Sequence, residues 1–256
     1  MTDGQLIAGD FLSLLTTRKV SVFNTERVVN APVETQATTV FAFHYKDGVL
    51  MAGDRRATAG NIIVTDRVDK VIEIDAHSML AIAGVPATAF EMARVMQTSF
   101  EYYRRSQLQP LSLPAKVRAL ARLLRENLPM TMQGVGVVVP LFAGLDASAS
   151  PAKPLIFFYD PLGAQFQAVG YAASGSGSGT IRSIISFQEK YGPKPSELGL
   201  KEAVQFTLRL LMTASEFDAA TGGINPETNT YATIKTLDAD GVRTINSEEQ
   251  ARFLRG

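Results

Sequence analysis

Cysteine is missing from all 256 residues, which excludes disulfides, thiolate nucleophiles and cysteine-ligated zinc together. Histidine is nearly missing: only His44 and His77 could offer an imidazole, too few for a histidine-rich metal site. Net charge is missing too, because 25 basic residues balance 25 acidic ones. No basic surplus therefore points to nucleic acid or an acidic membrane as partner. A neutral chain is poorly protected against self-association, which suits a subunit of an assembly. No apolar run reaches the length needed to cross a bilayer. The N-terminal stretch 6–15 is mildly apolar, but Asp10 interrupts it and no basic segment precedes it, so it does not read as a secretory signal. Cytoplasm is the expected compartment.

What is present is an ordinary globular composition, 46% hydrophobic and 20% charged, on a chain long enough to bury a real core. Residues 1–37 differ from the rest: one short amphipathic segment at 10–15, then a polar stretch ending at Ala37. Strand signals begin abruptly at Thr38. β-Branched and aromatic residues fill 38–45, Lys46-Asp47-Gly48 supplies a turn, and 49–52 returns as a hairpin partner. Further strands are predicted over 62–65, 68–74 and 79–83.

Two helices follow. Over 87–106 the apolar residues Phe90, Ala93, Val95, Met96 and Phe100 are expected on one face. Pro114 opens the next helix, whose stripe is Val117, Leu120, Leu124 and Leu128. Strands are predicted over 137–145, 154–160 and 165–169. A Gly/Ser loop at 174–179 leads into a helix over 180–190, and Ser196 is expected to cap a helix over 197–215. Strands over 230–237 and 242–246 and a short terminal helix finish the chain. Helix pairs set between strand blocks do not match an alternating doubly wound sheet. They suit an α+β fold of two antiparallel sheets stacked between outer helix layers.

Familiar hydrolase templates fail. Ser176 has Ser174 and Ser178, not glycines, two residues to either side, so the Gly/Ser loop is no nucleophile elbow. Its glycines at 175, 177 and 179 miss the dinucleotide spacing, and no βαβ unit surrounds them. His44 falls in a strand pattern and His77 beside a turn, where packing or surface roles suffice. One constellation survives. Thr38-Thr39-Val40 opens a strand, Gly53-Asp54-Arg55-Arg56 follows a hairpin, Lys70 lies in a strand entry, and Gly84 ends a strand. Gly175-Ser176-Gly177 and Asp218-Ala219-Ala220-Thr221-Gly222-Gly223 come later.

In order and spacing these strings resemble the β-subunits of 20S-type proteasomes, most closely the actinobacterial kind, from residue 38 to about 246. The resemblance implies an N-terminal nucleophile hydrolase: a four-layer αββα sandwich over 38–256, preceded by a propeptide over 1–37. It implies threonine endopeptidase activity without metal or cofactor. Cleavage between Ala37 and Thr38 would give one residue both the nucleophile, its Oγ, and a base, its own α-amine. A free α-amine titrates at roughly 7.7–8.0, close enough to neutrality to accept a proton. Lys70, held charged by Asp54, would lower the pKa of hydroxyl and amine; the Gly84 N–H would donate to the oxyanion. Ser176, Asp218 and Thr221 match the positions that hydrogen-bond around the threonine amine.

The substrate-binding positions carried over are Ala57, Thr58, Val68, Ile72, Ile82 and Pro86, which imply a roomy uncharged pocket and cleavage after large apolar residues. Implied partners are homo-heptameric β rings stacked in pairs, α-subunit rings, a ring ATPase and protein or peptide substrates. One departure stands out: Ala37 occupies a position that the family normally gives to glycine, and a Cβ there obstructs a turn requiring positive φ. Two alternatives remain, an HslV-like threonine peptidase and an unprocessed or inactive scaffold β-subunit.

Overall fold

The computed structural model describes residues 38–59 and 62–255. The expected propeptide, its amphipathic segment and Ala37 lie outside the described residues. Six strands come first: β1 (Thr39–Tyr45), β2 (Gly48–Gly53), β3 (Ala57–Ala59), β4 (Ile62–Thr65), β5 (Val71–Asp75) and β6 (Ser78–Ala81). Helices α1 (Pro86–Gln107), α2 (Leu113–Glu126) and α3 (Leu128–Met132) follow. Strands β7 (Leu141–Asp146), β8 (Lys153–Tyr159), β9 (Gln165–Ala168) and β10 (Tyr171–Gly175) lead to helices α4 (Ser178–Tyr191) and α5 (Leu200–Phe217). Strands β11 (Thr233–Asp238) and β12 (Gly241–Thr244) precede the last helix, α6 (Ser247–Arg255). Among the described residues no helix is long and apolar enough to cross a membrane.

The strands make two five-stranded antiparallel sheets, ordered β10-β1-β2-β11-β12 and β5-β6-β7-β8-β9, while β3 and β4 form a separate hairpin. Side chains alternate across a strand, so each sheet sends two sets of residues in opposite directions. From β1, Phe41, Phe43 and Tyr45 pack with Ile181 and Ile185 of α4 and Leu208 and Leu211 of α5. Val40 and Ala42 point the other way, into an interior shared with Met79 and Ala81 of β6 and Leu141 and Ala143 of β7. On the far side of the second sheet, Leu80 and Phe142 meet Met96 and Phe100 of α1 and Leu120 and Leu124 of α2. Three apolar interiors separate four layers, which is the expected αββα sandwich. Both faces of the inner strands β1, β2 and β6 are covered, so these run buried almost throughout, while the edge strands β9 and β12 expose polar residues such as Gln165, Gln167 and Arg243.

Several expectations need correction. On α1, Phe90 and Val95 are 36% and 38% exposed, and the buried line is Ala89, Met92, Ala93, Met96 and Phe100. At 100° per residue, Phe90 and Val95 each sit one step off that line. Leu128 lies beyond the end of α2 and opens α3. Ser196 caps no helix: it lies in a 3-10 turn, Pro195–Glu197, and α5 begins three residues later behind Gly199. The strand expected from residue 137 starts at Leu141, although Val138 makes an isolated bridge to Gly84. Strands β3 and β10 and helix α3 went unpredicted. In β10 the residues Ala172, Ala173, Ser174 and Gly175 carry little strand preference, and pairing with β1 overrides it.

Candidate active site

β1 and β2 form the hairpin that brings Thr39, the residue after Thr38, against Asp54, because Val40 pairs with Gly53 and each chain continues one residue past that pair. Asp54 N–H donates to the Thr39 carbonyl at 3.1 Å, and Thr39 N–H donates to Asp54 Oδ1 at 2.9 Å. The same Oδ1 takes the Lys70 ammonium at 2.6 Å. Oδ2 accepts the backbone N–H groups of Arg56 and Gly222, both at 2.9 Å. Four donors thus converge on one carboxylate that is wholly buried. Gly53 keeps the approach open: a Cβ there would stand 2.9 Å from Val40 Cγ1 and 3.2 Å from Lys70 Cβ.

The Lys70 side chain is only 2% exposed. Burial pushes its ammonium below the usual lysine range. The Asp54 charge and hydrogen bond pull the other way, Arg56 adds to the lowering, and the net direction is down. The expected contact with Asp54 is present, but desolvation outweighs it. Lys70 is therefore a cation that releases a proton more readily than a surface lysine.

A second cluster forms where β10 turns into α4 and where α5 ends. The Thr38 carbonyl accepts Ser176 N–H at 2.9 Å, beside Gly175 at φ +93°. Ser176 Oγ and Thr221 Oγ1 both donate to Asp218 Oδ2 at 2.6 Å, and Ala220 N–H donates to Oδ1 at 3.1 Å. Burial raises the Asp218 carboxyl, but the two hydroxyls, the Ala220 N–H and the Lys70 charge hold it below the usual carboxylate range. Thr39, bound to Asp54 through its N–H and lying 2.6 Å from Thr221 Oγ1, and Gly222, whose N–H meets Asp54, join the two clusters.

Gly84 sits at φ +109°, and a Cβ there would lie 2.0 Å from the Val137 carbonyl oxygen. Val85 N–H to Val137 O and Val139 N–H to Ala83 O, both 2.8 Å, clamp the segment on either side. The Gly84 N–H takes no hydrogen bond to any described residue. Ile82 N–H donates to the Lys70 carbonyl at 2.9 Å, which ties the Gly84 segment to the buried lysine.

Of the substrate-binding positions, Ile72 packs against the cluster that contains Ile82, and Pro86 opens α1 just beyond Gly84. Ala57 and the buried Thr58 lie on β3, and Val68 N–H donates to Arg55 O at 3.0 Å. The six positions thus flank Lys70 from two sides in sequence. His44 stays outside both clusters; burial and then the Lys153 charge lower its pKa. His77 lies at the turn between β5 and β6, its N–H on Asp75 Oδ1 at 3.0 Å.

Sequence reasoning left four residues without a role. Thr39 joins both clusters. Arg56 donates through Nε to Asp66 Oδ1 at 2.9 Å and through Nη1 to the Ala219 carbonyl at 3.0 Å, bracing the 218–223 loop. Gly177 and Gly222 permit close approach: a Cβ would stand 2.6 Å from Thr39 Oγ1 at the first and 3.0 Å from Arg56 Cβ at the second. The only sequence signals were the threonine doublet 38–39 and glycines beside polar strings.

The family model described as "Proteasome subunit" matches residues 34–225. A proteasome subunit beta of Acidimicrobium ferrooxidans is 39% identical over 211 residues, covering 82% of this chain and 74% of that one. Proteasome subunit beta 2 of Thermomonospora curvata is 39% identical over 216 residues, covering 84% and 74%. A proteasome subunit beta of Acidothermus cellulolyticus is 37% identical over 218 residues, covering 84% and 72%.

Proposed function

The chain belongs to the proteasome subunit family, and from that premise we propose that it is a catalytic β-subunit, a threonine endopeptidase with Thr38 as its nucleophile. The observation that carries this reading is the buried Lys70–Asp54 pair, linked through Thr39 to the Ser176–Asp218–Thr221 cluster immediately behind Thr38. Such a cation, desolvated and fixed on the carboxylate that also binds the Thr39 N–H next to Thr38, serves charge stabilisation at a reacting hydroxyl better than it serves fold stability.

In the proposed reaction, residues 1–37 leave by cleavage between Ala37 and Thr38. The Thr38 Oγ then attacks the scissile carbonyl carbon while its proton passes to the freed α-amine and on to the departing peptide amine. Water, deprotonated by the same amine, releases the acyl group from the threonine ester. Lys70 stabilises the developing alkoxide, and its lowered pKa lets it share the proton. Gly84 N–H faces the oxyanion role, supported by its lack of an acceptor among the described residues. Ser176, Asp218 and Thr221 hold the amine. Ala57, Thr58, Val68, Ile72, Ile82 and Pro86 line an apolar subsite that favours large apolar residues. The reading carries with it paired heptameric β rings, α rings, a ring ATPase that feeds unfolded protein, and a cytoplasmic setting.

Intact mass and peptide hydrolysis test this together. The expected result is a chain that starts at Thr38 in the purified assembly, cleaves after Leu, Tyr or Phe, and loses activity in Thr38→Ala. A chain still starting at Met1 and inert to a threonine-reactive epoxyketone would instead make it a scaffold. Cleavage faster after Arg or Asp would sink the apolar subsite alone.

A further inference from the structure

Thr39 is wholly buried, and each of its polar atoms is bound by the site around it. Its N–H and carbonyl are both taken by Asp54, at 2.9 and 3.1 Å. Its Oγ1 accepts Gly177 N–H at 2.9 Å and lies 2.6 Å from Thr221 Oγ1. The direction of that last bond follows by elimination. Thr221 has one hydroxyl hydrogen, and Asp218 Oδ2, an acceptor, takes it at 2.6 Å. The Thr39 hydroxyl must therefore donate to Thr221. The result is a directed chain, from Gly177 N–H to Thr39 Oγ1, on to Thr221 Oγ1 and into Asp218, where the Ser176 hydroxyl also ends. The glycine at 177 is part of this construction, since a Cβ there would stand 2.6 Å from Thr39 Oγ1 and 2.7 Å from Thr221 Oγ1.

We infer that Thr39 is a positioning residue: its hydroxyl fixes the Thr221 hydrogen on Asp218 and so couples the Asp54–Lys70 pair to the Ser176–Asp218–Thr221 cluster. This rests on the proposed threonine hydrolase reading. A threonine present only as a β-branched strand opener would be replaced by valine without loss, because the shape is the same. A positioning hydroxyl would not.

The test uses the assembled, processed enzyme and a fluorogenic peptide. Thr39→Val should lower kcat at least about tenfold with KM within about twofold, and Thr39→Ser should restore it. Thr221→Val should cause a similar loss, and the double variant should lose no more than either single one, because both act through one chain. Full kcat in Thr39→Val, or additive losses in the double variant, would overturn the inference. Should Thr39→Val fail to assemble, Gly177→Ala, which pushes the two hydroxyls apart, should show the same fall in kcat; unchanged kcat there overturns it. Wild-type protein without hydrolysis would instead defeat the reading it rests on. The crystal structure of Thr39→Val then decides, with Thr221 Oγ1 expected to leave Asp218 and an unchanged contact counting against Thr39.

Discussion

Lys70 concentrates the energetics of the site in one side chain. Its ammonium is as good as dry, its partner Asp54 drier still, and the contact between them is 2.6 Å. Pairing in the interior only partly offsets the desolvation of two charges, and removing one partner strands the other. Lys70→Met fits the volume but leaves Asp54 with three neutral backbone donors and no cation. The expected loss is on the order of 3–5 kcal/mol of stability and, on the proposed threonine-hydrolase reading, all peptidase activity. Thermal unfolding at matched protomer concentration, with peptide hydrolysis alongside, checks both; an active Lys70→Met would remove the lysine from the chemistry. Asp54, Lys70 and Asp218 were legible in the sequence because they stand in short strings whose order is itself a pattern. Thr39 was not. Its meaning depends on Gly177 and Thr221, 138 and 182 residues away, and a threonine entering a strand carries no local sign of such partners. The pull of burial on Lys70 was likewise invisible, since sequence names the partner but not the dryness.

Elements show the same division between local and distant causes. β1 and β2 were readable because aromatic and β-branched residues surround a Lys-Asp-Gly turn, and α1 because apolar residues recur through 87–106 at near-helical spacing. β10 was not readable, for its residues are small and its strand state comes from register with β1, Thr39 opposite Gly175. Ser196 misled for the opposite reason: it has the chemistry of a cap, but Pro195 diverts the chain into a 3-10 turn. The end of β10 matters most, because Ser176 N–H reaches the Thr38 carbonyl only if the strand closes tightly. Gly175 makes this possible at φ +93°, where a Cβ would stand 1.7 Å from the Thr38 oxygen. Gly175→Ala should therefore cost about 1–3 kcal/mol and displace Thr38 and Ser176 together. On the proposed threonine-hydrolase reading, hydrolysis should fall at least about tenfold, as expected when the proposed nucleophile is misplaced. Native activity with a native melting curve would mean that β10 closes some other way.

At the scale of the whole molecule, three apolar interiors account for the burial of most large side chains, and the exposed ones stand out against them. Phe142 is 0% exposed in the sheet–helix interior, whereas Phe187 on α4 is 64% exposed and Tyr191, its ring 5.1 Å away, is 69% exposed. Burial of that order inside a packed layer is worth roughly 3–5 kcal/mol for a phenylalanine truncated to alanine. An exposed ring contributes little to its own chain and finds its burial, if anywhere, against a neighbour. The two positions should consequently respond differently to protein concentration. A chain that assembles gains stability by mass action, so its melting temperature rises as protomer concentration rises. Phe142→Ala should lower the melting temperature at every concentration by a similar amount. Phe187→Ser should leave the dilute value within the shift expected from about 0.5 kcal/mol and flatten the rise. Thermal scans across a hundredfold range of concentration, with native mass spectrometry at each end, make the comparison. Parallel curves for the Phe187 variant and the wild type would place that ring outside any interface and leave the neutral surface charge, not α4, to explain association.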